Sequence, residues 1–126
     1  YSEFAGRRRD LKVAMTVLGD YERELVTHLI DGLLRLPGVT IAGIADQARF
    51  NERVPTVVFV RDGYTPKQIA AHLASKNIYV WDGNYYALAI MERLGLQAGG
   101  GMVRVGLAHY NTRAEVEKLV EVLRQL

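Results

Sequence analysis

Gly99-Gly100-Gly101-Met102-Val103-Arg104-Val105-Gly106-Leu107-Ala108-His109-Tyr110-Asn111-Thr112-Arg113-Ala114-Glu115-Val116-Glu117 is the stretch on which the fold turns. Met102, Val103, Val105 and Leu107 form a short apolar strand, and the exception inside it is Arg104. A guanidinium keeps its charge and needs an anionic partner if it is buried. Asn111-Thr112 then turns the chain. Thr112 and Glu115 have the spacing of a capping box, each able to satisfy a free amide at a helix start. Val116, Leu119, Val120, Leu123 and Leu126 continue as an amphipathic stripe. One charged fork thus stands on a core strand ahead of a firmly set helix. Alternation along the strand sends Val103 and Val105 to the core and Arg104 to the opposite face. Two readings stay open: a strand-borne grip for an anion, or an arginine on an exposed edge strand reaching water.

Upstream, apolar residues fall at Ala14, Leu18, Tyr21, Leu25, Leu29, Gly32 and Leu36, a helical period along one face. Gly19 interrupts it at about 1 kcal/mol relative to alanine, which predicts a kink or break near Gly19-Asp20. Pro37-Gly38 ends this helix. A first strand is predicted over Val39 to Ile44, and polar Asp46 to Arg53 reads as a loop. Val54-Pro55-Thr56-Val57-Val58-Phe59-Val60 is the strongest strand, with Pro55 at its entry and either Val57 and Phe59 or Val58 and Val60 buried. Thr65-Pro66-Lys67-Gln68 is a second helix start, with Thr65 as cap, Pro66 at the first helical position and Gln68 completing a capping box. Asn77 suits the left-handed residue that ends such a helix. Ile78 to Trp81 reads as a third strand, Asp82-Gly83-Asn84 as a turn, and Tyr85 to Leu94 as a third helix ended by Gly95. The expected architecture is a two-layer α/β domain. A sheet of about four strands, mixed or mainly antiparallel, carries helices on one face and is preceded by a long amino-terminal helix.

The chain has 126 residues, enough for one domain with a real core. Its hydrophobic share of 49% and charged share of 24% describe a soluble globular protein. There is no cysteine, which excludes disulfides, thiolate metal sites and a cysteine nucleophile from this chain. No apolar run approaches a membrane span. A net charge of +2 does not argue for nucleic acid, and Arg7-Arg8-Arg9 reads as a solvated helix entry. Tyr1 is no initiator methionine, and the sequence reads as a piece of a longer polypeptide.

Most familiar chemistries find no support. Gly99-Gly100-Gly101 lacks the Gly-Lys-Ser/Thr continuation of a phosphate loop and precedes a strand, so a flexible linker is expected. His28, His72 and His109 have no metal-ligand spacing, although His109, at a strand end beside Tyr110, could face a cleft. Ser2 and Ser75 are not in a nucleophile elbow. Lys12, Lys67, Lys76 and Lys118 fall on helices with polar neighbours and do not look like Schiff-base lysines. Trp81-Asp82-Gly83-Asn84-Tyr85-Tyr86 is a strand-to-helix loop with three aromatics, the kind of place where α/β proteins put ligand contacts. It reads equally as core for Trp81 and one tyrosine, with the other tyrosine on the surface.

Val103-Arg104-Val105-Gly106-Leu107-Ala108-His109-Tyr110-Asn111-Thr112, followed by Glu115-Val116-Glu117, resembles the carboxyl-terminal signature of class V aminotransferases and cysteine desulfurases, pyridoxal-phosphate enzymes of fold type I. Arg53-Val54-Pro55-Thr56, Val80-Trp81-Asp82-Gly83, Tyr85-Tyr86-Ala87 and Leu36-Pro37-Gly38-Val39 are similar to the cysteine desulfurase-like subgroup. The resemblance implies that residues 1–126 are a single carboxyl-terminal small domain, with residues 1–9 a linker from a larger domain. That larger domain would hold the cofactor lysine, the acid facing the pyridine nitrogen and the phosphate cup. No pyridoxal phosphate is then expected on this chain alone. The resemblance makes Arg104 the residue that binds the substrate's α-carboxylate, with Asn84, Tyr85, Tyr86 and His109 as further substrate contacts. It also implies a cytoplasmic homodimeric parent acting on a small amino acid, with no nucleic-acid or membrane partner. Aligned through Gly83, persulfide-forming desulfurases carry their cysteine where this chain has Tyr86, which cannot accept a sulfane sulfur. The parent's reaction is left among desulfuration by another group, transamination and a lyase step. The competing class is a free-standing α/β binding module that uses its loop aromatics for a peptide or single-stranded nucleic acid.

Overall fold

The computed structural model describes all 126 residues. Its organising element is strand β4 (Met102–Gly106), an inner strand of a four-stranded sheet. The other strands are β1 (Val39–Ala42), β2 (Thr56–Arg61) and β3 (Trp81–Gly83), in the order β1-β2-β4-β3. Every pairing is antiparallel, which narrows the expected mixed or mainly antiparallel sheet. Helices α1 (Gly6–Leu34), α2 (Pro66–Ala74), α3 (Leu88–Arg93) and α4 (Arg113–Arg124) complete the chain, with a short 3₁₀ helix at Gln47–Glu52 where a loop was expected.

Alternation along β2 and β4 decides which face is covered. Val57 and Phe59 are buried opposite Val105 and Val103 in the register. They join Leu25, Leu29 and Leu33 of α1, Ile69 and Leu73 of α2, and Val116, Leu119 and Leu123 of α4 in one apolar cluster. Arg104, paired with Val58 on one side and Trp81 on the other, belongs to the opposite face. Both capping boxes form. Thr65 accepts from the Gln68 amide, Thr112 accepts from the Glu115 amide, and each partner side chain reaches back to the cap residue's own amide.

Arg61, Tyr64 and His72 tie the carboxyl end of α4 down. They reach the carbonyls of Leu123, Leu126 and Val122 respectively. The Val122 and Leu123 carbonyls belong to the last turn of α4, where they also receive the Gln125 and Leu126 amides, and Leu126 lies just beyond it. α1 crosses α4 at Gly32, where a β-carbon would stand 2.6 Å from a Val120 methyl. Absence of a side chain there permits the close approach.

Three expectations need correction. α1 is continuous through Gly19, because a 29-residue helix absorbs one half-buried glycine without losing its hydrogen-bond ladder. It begins at Gly6, so residues 6–9 of the expected linker are helical, which leaves their linker role open to either reading. The third strand is Trp81–Gly83 rather than Ile78–Trp81. The Ile78 amide donates instead to the Leu73 carbonyl at 3.0 Å, closing the end of α2 after Asn77 turns left-handed at φ 61°. The third helix starts at Leu88, not Tyr85, because Tyr85 and Tyr86 both hold positive φ, 52° and 61°. Right-handed helix cannot pass through such residues.

Candidate functional site

Arg104 rises from β4 between two aromatic rings. Its guanidinium carbon lies 5.1 Å from the Trp81 ring centre and 5.0 Å from that of Tyr85, both within cation–π range. Trp81 comes from β3, directly opposite Arg104 in the register. Tyr85 comes from the loop that follows. Its ring is anchored by its hydroxyl, which donates to the Met102 carbonyl, with the Trp81 carbonyl 3.3 Å away.

Three arginines of the chain are half-buried: Arg53, Arg61 and Arg104. Arg53 donates to the carbonyls of Ile44, Val54 and Thr56, and Arg61 to that of Leu123. These two are structural clamps. Arg53 is buried enough that desolvation lowers its pKa below the ordinary arginine value. Arg104 alone among the three has neither a carbonyl nor a carboxylate acceptor. Its fork is held by ring faces and left unspent.

Beside this cluster the loop forms a cleft of about 350 Å³, walled by Trp81 to Tyr86 together with Gln97 and Gly100. Asn84 builds the loop as well as lining it. Its side-chain oxygen accepts from the Tyr86 amide at 3.1 Å and its carbonyl from the Ala87 amide at 2.7 Å, a local turn of the kind asparagine favours. Two successive tyrosines in the left-handed region are costly for residues with a β-carbon, and such conformations cluster at functional loops. Tyr86 is 96% exposed. Tyr85 is half-buried, and its phenol is pushed up to about 12, chiefly by burial. The Arg104 charge opposes that rise and the nearby Asp82 adds to it. Tyr85 therefore stays a proton donor across the neutral range.

The glycine triplet is not the flexible linker expected from composition. Gly101 is buried with φ +88°, and a β-carbon on it would stand 2.1 Å from the Gly83 carbonyl oxygen. Its amide donates to the Leu96 carbonyl at 3.0 Å. The triplet thus clamps the loop against the start of β4.

Of the expected contacts, Arg104, Asn84, Tyr85 and Tyr86 are brought to one end of the sheet. His109 is elsewhere. It lies beyond the opposite end of β4, 3.9 Å from Glu22 of α1 and edge-on to Tyr110. Trp81 and Asp82 are expected only as members of the aromatic loop, not as named substrate contacts, and Gln97 is not expected at all. No spacing signals them, because Trp81 meets Arg104 only through strand pairing. A separate groove of about 240 Å³ runs between residues 77–80, the end of β4 and α4; its charged residues are Glu115 and Lys118, and Arg104 is not on it.

The residues present do not make a seat for pyridoxal phosphate. Lys12, Lys67, Lys76 and Lys118 are all exposed, and none lines the cleft beside Arg104. No group of histidines and carboxylates has the arrangement of a metal site, and no helix is long and apolar enough to cross a membrane.

The fold and this arginine-bearing strand define a class of protein. The chain belongs to the class V aminotransferase family, whose model matches residues 11–119. It is 31% identical over 115 residues to a cysteine desulfurase of Synechococcus elongatus, an alignment covering 91% of this chain and 17% of that protein. It is 28% identical over 117 residues to an aminotransferase-like protein of Gibberella zeae, covering 91% of this chain and 29% of that protein. Among solved structures, a cysteine desulfurase from Thermococcus onnurineus superposes with a TM-score of 0.80 at 28% identity, over 94% of this chain and 28% of that one. The chain thus spans less than a third of the length of these relatives.

Proposed function

We propose that this chain is the carboxyl-terminal small domain of a pyridoxal-phosphate-dependent, class V aminotransferase or desulfurase-like enzyme acting on an amino acid. The cofactor and its lysine belong to the remainder of the polypeptide, and the chain alone is inactive. Pyridoxal phosphate, held there, would supply the electron sink for bond-breaking at the substrate's α-carbon. This domain's part is to bind and orient. Arg104 offers two parallel N–H donors to the α-carboxylate, and the loop Asp82 to Tyr86 forms one wall around the substrate. Tyr86 stands where persulfide-forming relatives carry cysteine, so a sulfur relay through that position is not part of the reading.

The observation that carries the reading is Arg104, the one half-buried arginine without an oxygen acceptor. No buried side-chain nitrogen or oxygen of the chain lacks a partner, so the unpaired Arg104 nitrogens reach solvent. An ionised fork on an inner strand, left unpaired by its own domain, is suited to an anionic ligand. The test is Arg104→Ala in the complete polypeptide. A charge-assisted hydrogen bond is worth about 1.5–3 kcal/mol, so substrate binding should weaken by about 10- to 150-fold. Arg104→Lys should not restore it, having the charge without the fork. Thermal melting of the domain should change little, since exposed cation–π contacts contribute about 0.5–1 kcal/mol each. An Arg104→Ala protein that unfolds, while the folded fraction keeps its substrate KM, would make Arg104 a structural residue and end the proposal.

A further inference from the structure

We infer that Trp81 and Tyr85 are positioning residues, whose rings fix the Arg104 guanidinium while leaving its in-plane donors for a carboxylate. The inference rests on reading Arg104 as the carboxylate-binding arginine. An arginine can be held in place in two ways. Arg53 shows the first: its Nε, Nη1 and Nη2 each donate to a carbonyl, so three of its five N–H donors are committed to the fold and both ends of its fork are engaged. Arg104 shows the second. Ring faces attract the cation but accept no in-plane hydrogen bond, so the side chain is localised with its fork still open.

Both rings are themselves constrained. Trp81 is tied by the β3–β4 register, which places it opposite Arg104. Tyr85 is tied at one end by its left-handed backbone and at the other by its hydroxyl on the Met102 carbonyl. A long, flexible side chain that is ordered before its ligand arrives loses less freedom on binding. Tyr85 also brings no competing negative charge, because its hydroxyl is committed as a donor. Asp82, the nearest acid in the loop, pairs with Val103 in the register and forms no salt bridge with Arg104.

The experiment uses the full chain, labelled with nitrogen-15, and acetate as the carboxylate probe. The Arg104 Nε–Hε signal is assigned by its disappearance in Arg104→Lys. Without acetate it should be shifted upfield by the two ring currents and be less mobile than the signals of exposed Arg7 and Arg8. Trp81→Leu removes a ring that is 58% exposed, leaving the core intact. It should return the signal toward its free position and weaken acetate binding by about threefold or more, and Trp81→Phe should recover part of both. Tyr85→Phe, which keeps the ring and loses its anchor, should raise the mobility of Arg104 with a smaller loss of upfield shift. The same Arg104 signal and the same acetate affinity in Trp81→Leu as in the unaltered chain would overturn the inference. A separate outcome strikes the reading beneath it: acetate binding that survives Arg104→Ala shows that Arg104 is not the carboxylate site, even where its signal carries the ring-current shift. Acetate binding that disappears in Arg104→Ala and weakens in Trp81→Leu establishes both.

Discussion

Tyr85 carries the clearest pH signature of any single residue. Its phenol titrates at about 12 in the folded chain, against about 10 when unfolded. Folding therefore favours the protonated form. The stability this contributes is whole below about pH 10 and is lost as pH rises toward 12. Phenolate absorbance during an alkaline titration should show Tyr85 ionising late among the seven tyrosines of the chain. Tyr85→Phe should delete that step. It should also remove the part of the alkaline stability loss that depends on Tyr85. If the variant and the unaltered chain lose stability in parallel between pH 10 and 12, the buried donor role of Tyr85 is wrong.

Between β3 and β4 the decisive contact is one of backbone with backbone. A β-carbon on Gly101 would collide with the Gly83 carbonyl, and the Gly101 φ of +88° excludes an ordinary residue as well, whereas a β-carbon on Gly83 would meet open space. Gly101→Ala should therefore cost about 3 kcal/mol, near the top of the usual range for single substitutions, measured by chemical denaturation. Gly99→Ala is the control. Its φ is ordinary and its nearest neighbour is the Leu96 carbonyl at 3.6 Å, so it should be nearly neutral. Equal effects at the two positions would mean that the triplet is the flexible linker its composition suggests. The helices are set more locally: Thr65 and Thr112 each start a helix through a capping box that four consecutive residues complete.

Across the whole molecule, α1 is two things in one helix. Leu25, Val26, Leu29, Ile30 and Leu33 are buried in the core, whereas Leu11, Val13, Met15 and Val17 are exposed. A helix without tertiary packing is marginal in water even when its residues favour it. Amide hydrogen exchange should be fast from Gly6 to about Gly19 and should approach the global rate from Leu25 to Leu33. Uniform protection along all 29 residues would show that the first half is stabilised by something other than this domain's core. The exposed apolar residues on that half agree with the short reach of this chain along its relatives, less than a third of their length.

Local chemistry was legible in the sequence wherever one segment contains all of its own causes. The capping boxes at Thr65 and Thr112, the left-handed Asn77 and the outward turn of Arg104 all follow from spacing within a few residues, whereas alternation in β2 left Val57 with Phe59 and Val58 with Val60 as equal choices until helices covered one face. The family, too, was legible in Val103 to Thr112. Tertiary structure decided what depends on partners distant in the chain. Register, not spacing, placed Trp81 against Arg104, since 23 positions separate them and only the β3–β4 ladder makes them neighbours. Packing turned Gly101 from a linker residue into a clamp. The end of α2 consumed the Ile78 amide and moved the third strand on to Trp81. His109 went to α1 because the chain leaves β4 at the end away from the Asn84 loop, an outcome no local pattern encodes. A backbone donor or a side-chain face can be used once, and which of two distant claimants takes it is settled only when the whole chain has folded.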